Sequence, residues 1–250
     1  MKALITGASS GIGRDMARLL AQQGCELILV ARRVERLEEL RRTLPVKVEV
    51  VPLDLSKAES CRELYARCKD AGVEILINNA GFGLFGPFDE TDLDRELSML
   101  DVNIRATHML TKLFLPDFKR RDAGYILNVA SSAAFLPGPL LSSYYASKAY
   151  VLRLTLAVRE ELRRAGSHVY IGALCPGPVE TEFDRTAGVR FSIRNLPSEA
   201  VAACALRQMF RRKAVIVPGA GMKALRFLTR LAPDALLLRV AYHTQKRKEG

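Results

Sequence analysis

The chain has no tryptophan, three histidines and five cysteines, and its aromatic residues amount to only 7%. Three scattered histidines and the absence of a C-x-x-C pair leave no ligand set for a metal site. The cysteines (Cys25, Cys61, Cys68, Cys175 and Cys204) are odd in number and unclustered, so reduced thiols in a cytoplasmic protein are expected, not a disulfide framework. No apolar run reaches the roughly 18 residues of a membrane span. The richest late stretch, Leu225 to Val240, is broken by Arg226, Arg230, Asp234 and Arg239. A removable leader is not expected, because the first strand pattern begins near Lys2 and runs straight into a glycine turn at Gly7. Acidic residues are scarce at one end. Residues 205–250 hold 11 Lys/Arg and two Asp/Glu, a net of +9 out of +11, so the first 204 residues carry only +2. That asymmetry speaks for an anionic partner of the tail and against a general nucleic-acid binder.

What the chain does have is a globular balance: 49% hydrophobic and 26% charged residues over 250 positions, enough for one α/β domain with a sizeable core. Strand and helix patterns alternate. Strands are expected at Lys2–Thr6, Leu27–Val30, Val46–Val51, Glu74–Ile77, Tyr125–Val129, Val169–Leu174 and Val215–Val217. Between them lie helical patterns: one ended by Gly24, Arg33–Leu44 stopped by Pro45, one capped by Ser56 and running to about Lys69, a long one over Leu93–Arg120, and Tyr144–Ala165. A last helix starts at Ser198. Several strands are apolar throughout, as parallel strands buried on both faces must be. The expected architecture is therefore α/β: a Rossmann-type doubly wound parallel sheet of about seven strands. Residues 1–221 form its single catalytic domain and 222–250 a basic helical extension.

The first strand-to-helix turn reads Thr6-Gly7-Ala8-Ser9-Ser10-Gly11-Ile12-Gly13. Glycines permit a tight turn and close approach of backbone to a pyrophosphate, and the helix N-terminus offers free N–H groups and partial positive charge. The plain structural alternative is a tight turn and nothing more; the flanking strand and helix favour the nucleotide reading.

The spacing is G-x-x-x-G-x-G, and with Thr6 it resembles the short-chain dehydrogenase/reductase family in its compact single-domain form. Asn78-Asn79-Ala80-Gly81, Ser131, Tyr144-Tyr145-Ala146-Ser147-Lys148 and Pro176-Gly177-Pro178-Val179-Glu180-Thr181 match that family's signatures, in order and spacing, over roughly residues 2–218. The resemblance implies that Gly7, Ser9, Ser10, Gly11, Ile12, Gly13, Asn79, Ala80 and Gly81 hold a dinucleotide. It implies that Asp54 contacts the adenine, with Leu55 beside it, and that Pro176, Gly177, Val179 and Thr181 pass the nicotinamide.

The residue ending the second strand chooses the cofactor. A carboxylate there would repel a 2′-phosphate, but the sequence has Ala31 followed by Arg32 and Arg33. Arginine forks onto phosphate, so NADP(H) is expected over NAD(H). Otherwise the two arginines are solvated charges opening a helix, which the helix dipole opposes.

Carbonyl reduction needs an acid for the oxygen, and Lys148 lies one helical turn after Tyr144, on the same face. An ammonium there favours the phenolate. The resemblance assigns Tyr144 as acid/base, Ser131 as oxyanion donor, Lys148 as pKa tuner and ribose clamp, and Asn103 as support of a water relay. Tyr145 competes with Tyr144 and Ser132 with Ser131, and the family register selects the first of each pair. Asn103 also reads as a structural mid-helix asparagine, and Asp54 as a turn residue.

Phe82, Leu84, Phe85, Phe135, Leu136, Leu140 and Leu141 flank the expected site, and Phe183–Leu196 has the mixed composition of a lid. The expected activity is NADP(H)-dependent hydride transfer between the nicotinamide and an apolar ketone or aldehyde, or the alcohol, in a homodimer or homotetramer. Two other readings stand: a catalytically silent NADP-binding scaffold, which Ser131, Tyr144 and Lys148 speak against, and a peripheral membrane reductase of lipid-derived carbonyls. In the tail, Lys223, Arg226 and Arg230 make one basic helical face. A lid or packing element, an oligomer contact and a weak membrane-surface helix all fit it.

Overall fold

Strands apolar on both sides come together as one parallel sheet when helices cover both faces. The computed structural model describes residues 1–183, 187–188, 195–229 and 231–246. Its strands are β1 (Lys2–Thr6), β2 (Glu26–Ala31), β3 (Val48–Pro52), β4 (Ile75–Asn78), β5 (Tyr125–Val129), β6 (Tyr170–Leu174), β7 (Val179–Glu180), β8 (Leu196–Pro197) and β9 (Val215–Ile216). Seven of them form a parallel sheet in the order β3-β2-β1-β4-β5-β6-β9, while β7 and β8 pair with each other. The described helices are α1 (Gly11–Gln22), α2 (Val34–Thr43), α3 (Ala58–Cys68), α4 (Leu93–Leu100), α5 (Thr107–Arg121), α6 (Ser142–Arg164), α7 (Ser198–Phe210), α8 (Ala220–Leu228) and α9 (Asp234–Lys246).

Period-two alternation sends neighbouring strand residues to opposite faces. Ala3, Ile5, Leu27, Leu29, Ile75, Ile77 and Leu127 pack with Met16 and Leu20 of α1, Leu37 of α2 and Val201 of α7. Leu4, Ile28, Val30, Leu76 and Ile126 pack with Leu64 of α3, Phe114 and Phe118 of α5 and Leu162 of α6. The strand order reverses between β1 and β4, and a crevice opens there at the carboxyl ends of the strands. Gly24, at φ +77°, ends α1 in the left-handed region as expected.

The doubly wound α/β sheet matches the expectation, with boundaries shifted by one or two residues at several strands and helices. Other differences have physical causes. Ser56 is not the cap of α3, which begins at Ala58 after Lys57; Asp54 instead turns the chain by accepting the Ser56 N–H at 3.1 Å. The long helix from Leu93 is interrupted by a π-helical turn at Asp101–Ala106 before continuing as α5. The pair β7–β8 was not expected, because two-residue strands carry no periodicity to read. The tail helices begin at Ala220, two residues before Met222. All five cysteines are free thiols, four of them buried. Among the described residues no helix is long and apolar enough to cross a membrane, and no cluster of His, Cys, Asp or Glu could hold a metal.

Candidate active site

The turn after β1 is built on Thr6. Its Oγ1 accepts the N–H groups of Asn79 (2.9 Å) and Ala80 (3.0 Å), tying the end of β4 to the end of β1. Asn79 answers by donating its amide to the carbonyls of Thr6 (3.0 Å) and Gly7 (3.1 Å). Two glycines are obligatory at this junction. A Cβ on Gly7, which sits at φ +65°, would meet Ala80 Cα at 2.8 Å, and one on Gly13 would meet Asn79 Nδ2 at 2.4 Å. Ser10 precedes α1 without a side-chain cap, so the first-turn N–H groups of the helix are left for an anion.

From that turn a single cleft of about 1180 Å³ runs along the carboxyl edge of the sheet. It brings together Gly7, Ser9, Ser10, Gly11, Ile12, Arg32, Arg33, Asp54, Leu55, Asn79, Ala80, Gly81, Ser131, Tyr144, Lys148, Pro176, Gly177, Val179 and Thr181. Two of the expected residues are not on its wall. Gly13 serves the packing under the turn. Asn103 lies behind Gly81: its Oδ1 accepts the Phe82 N–H at 3.1 Å, and its Nδ2 donates to the Phe82 carbonyl and to Ser147 Oγ, both at 3.0 Å.

Asn103 is 1% exposed and sits in the π-helical turn. The extra residue of that turn aims its amide at the loop after β4, as π-bulges often do at functional sites. A Cβ on Gly81 would stand 2.8 Å from Asn103 Oδ1 and 3.1 Å from Lys148 Nζ, so the absence of a side chain leaves these groups adjacent.

The helix register of α6 puts Tyr144 and Lys148 on one buried face. Lys148 Nζ donates to the Val129 carbonyl at 3.0 Å and stands 5.8 Å from the Tyr144 ring centre. Ser131 leads the short 3₁₀ turn Ser132–Phe135, its Oγ accepting the Ala133 N–H at 3.1 Å. Burial pushes the Tyr144 hydroxyl well above its ordinary value, and a hydrogen bond from Ser131 opposes that. Burial also pulls Lys148 down to about 8. Desolvation outweighs the ammonium effect expected from the spacing alone. The nearby Cys175 thiol is pushed up to about 12 by burial, which leaves it no thiolate for chemistry.

Arg33 and Arg32 diverge. Arg33 Nη2 donates to Ser9 Oγ and Ser10 Oγ at 3.2 Å and to Glu182 Oε2 at 2.8 Å, and Arg36 reaches the other Glu182 oxygen at 2.5 Å. These guanidinium groups hold the Glu182 carboxyl down to about 2. Arg32 is exposed on the cleft wall, with no hydrogen bond or ion pair among the described residues. Glu182 had no sequence signal, because its partners lie 146 and 149 positions away.

On the substrate side, Tyr144 packs between Phe183 and Tyr145, with ring centres 5.2 and 6.1 Å away. Phe82, Leu136 and Leu141 line the cleft, while Leu84 and Phe85 pack against the cluster around Tyr144, and Phe135 lies beneath the Arg226 guanidinium at 5.7 Å. Of the expected lid, Phe183 and residues 187–188 and 195–196 are described. Residues 184–186 and 189–194, with Arg185, Val189, Arg190, Phe191, Ile193 and Arg194, lie outside the described residues, as does Arg230. The tail closes the remaining wall. Met222 packs on Gly177, and Gln245 Nε2 donates to Tyr145 Oη at 2.5 Å.

A family model for short chain dehydrogenases matches residues 1–189. The chain belongs to that family. An uncharacterized oxidoreductase from Staphylococcus epidermidis is 32% identical to this dehydrogenase over 194 residues, covering 77% of this chain and 83% of that one. Among solved structures, a short-chain dehydrogenase from Sphingobium yanoikuyae in complex with NADPH is 32% identical, with a TM-score of 0.84 over 94% of each chain. A short chain dehydrogenase/reductase from Burkholderia phymatum in complex with NAD is 27% identical, with a TM-score of 0.83 over 91% of this dehydrogenase and 92% of that chain. The dehydrogenase is therefore an oxidoreductase of the short-chain family.

Proposed function

We propose that this protein is an NADP(H)-dependent oxidoreductase acting on an apolar ketone or aldehyde, or on the corresponding alcohol, with Tyr144 as the acid/base. The observation that carries the reading is the convergence of Ser131, Tyr144 and Lys148 on the wall of one cleft whose other end is the glycine turn. The residues fit a dinucleotide: a turn where added Cβ atoms would clash, first-turn N–H groups of α1, and Ala31, followed by Arg32, where a carboxylate would exclude a 2′-phosphate. When bound, the nicotinamide supplies or accepts the hydride.

The chain's own residues do the rest. Arg32, next to Ala31 at the end of β2, holds the 2′-phosphate. Ser131 and Tyr144 bind the carbonyl oxygen from one side of the cleft, and Tyr144 Oη delivers its proton as charge develops there. Lys148 takes the ribose hydroxyls and places its charge near Tyr144 Oη. Val179 and Thr181 hold the carboxamide and so choose the face presented to substrate. The aromatic and aliphatic wall of Phe82, Leu136, Leu141 and Phe183 favours an apolar group beside the carbonyl.

The test is NADPH consumption against a panel of ketones and aldehydes of increasing size. Tyr144→Phe is expected to keep NADPH affinity within about twofold while kcat falls at least about a thousandfold, as for a group that acts in the transition state. Binding of NADPH with no turnover on any carbonyl or alcohol would favour the scaffold reading. Loss of activity in Tyr145→Phe with retention in Tyr144→Phe would move the acid by one residue.

A further inference from the structure

We propose that α8 and α9 dock on an anionic lipid surface, with the mouth of the cleft facing the lipid. Seven of the twelve large apolar side chains exposed among the described residues lie between positions 227 and 242. They include Phe227, Leu231, Leu236 and Tyr242, with Leu231 71% and Phe227 64% exposed. A soluble surface seldom concentrates so much apolar area in one pair of short helices and the turn between them unless something covers it. The same helices expose the cations Lys223, Arg239 and Lys246, and only one acid, Asp234, falls within them. Apolar side chains interspersed with cations suit the boundary between acyl chains and anionic headgroups.

The charge also decides between occupants. A second copy on a two-fold axis would set this patch against itself, bringing the cations near their own images. An anionic lipid surface answers the same charges with opposite ones. Insertion across the bilayer does not arise, since α9 has 13 residues. Leu228 and Val240 belong both to the exposed patch and to the cleft wall, so the cleft opens where the lipid would lie. The docking does not depend on the reaction proposed above and is read separately from it.

The full-length protein is sedimented with vesicles of phosphatidylcholine alone and of phosphatidylcholine mixed with phosphatidylglycerol. Most of the protein is expected to pellet with the mixed vesicles at low ionic strength, about tenfold less at high salt, and little with phosphatidylcholine alone. Phe227→Ser/Leu231→Ser/Leu236→Ser and Lys223→Glu/Arg239→Glu should each lower pelleting by about tenfold or more, with unchanged circular dichroism and NADPH binding. If the serine variant fails to fold, the charge variant, which touches only exposed side chains, decides alone. The proposal is overturned if the wild type stays in the supernatant with mixed vesicles, or if the charge variant pellets as well as the wild type. It is also overturned if the serine variant halves in mass in solution with vesicle binding unchanged, which would give the patch to a second copy.

Discussion

Lys148 is a cation placed where water cannot reach it well, 5% exposed and pulled down to about 8 from 10.5. Between those two pH values the unfolded chain binds more protons at this position than the folded one. Its contribution to stability therefore rises with pH across that window, and below it the buried charge is a standing cost. Comparison with Lys148→Met isolates this effect from the other groups that titrate there. The melting temperature of the wild type should gain on that of the variant as pH rises from about 7 to 10. A gap that stays constant would mean that Lys148 is not desolvated. The neighbouring arginines make a second point at this scale. Arg33 is held by Ser9, Ser10 and Glu182, whereas Arg32 has no such partner among the described residues. Arg32→Ala should weaken NADPH by about 1.5–3 kcal/mol, the worth of a charged hydrogen bond, and leave NADH nearly unchanged. Titration by nicotinamide fluorescence measures both. A variant that keeps its preference would remove Arg32 from cofactor choice.

Among the elements, the π-helical turn at Asp101–Ala106 ties the loop after β4 to α6. Its Asn103 holds the loop after β4 through Phe82 and holds α6 through Ser147, whose own hydroxyl donates to the Tyr144 carbonyl at 2.7 Å. Asn103→Ala leaves partly buried backbone groups of Phe82 without the Asn103 partner and should cost about 1–3 kcal/mol of stability, with a fall in kcat larger than the change in NADPH affinity. Chemical denaturation and steady-state kinetics test the two halves separately. Nothing in Asp101-Val102-Asn103 announces a π turn, because its hydrophobic spacing is that of the flanking α-helix. Continuously apolar strands such as Leu27–Val30 and the glycine-bounded turn at Gly7 were legible because burial and backbone sign each restrict residue type. Ser56 misled because a serine before a helical pattern reads as a cap, while Asp54 nearby competes for the same role. The placement of Tyr144 and Lys148 on one face was legible from their spacing within one helix, whereas Ser131 beside them was legible only through the family resemblance. The contacts of Glu182 and Gln245 depend on tertiary placement alone.

At the scale of the whole molecule, the body and the tail meet along the wall of the cleft. Arg226 over Phe135 and Gln245 on Tyr145 lie beside the expected substrate pocket, and Met222 packs on Gly177 of the loop after β6. Every residue of the glycine turn and of the Ser131–Tyr144–Lys148 group precedes Pro218. Deleting residues 222–250 should therefore keep NADPH affinity within about threefold while KM for an apolar carbonyl rises by about tenfold or more, as one wall of the substrate cleft is lost. A truncated enzyme with wild-type KM would show that the tail plays no part in substrate binding.

The carboxylate of Glu182, bridging Arg33 and Arg36 from 149 and 146 positions along the chain, gives this end of the cleft an internal counter-ion. An anion arriving beside Arg33 and Arg36 meets cations that are already answered, so what these two arginines offer, unlike Arg32, is an exchange of one negative partner for another. Dissolved salt weakens the old partnership and the new one together. The preference for one anion over another at this corner is then set by geometry and hydrogen-bond count, and it varies with ionic strength less than either affinity does.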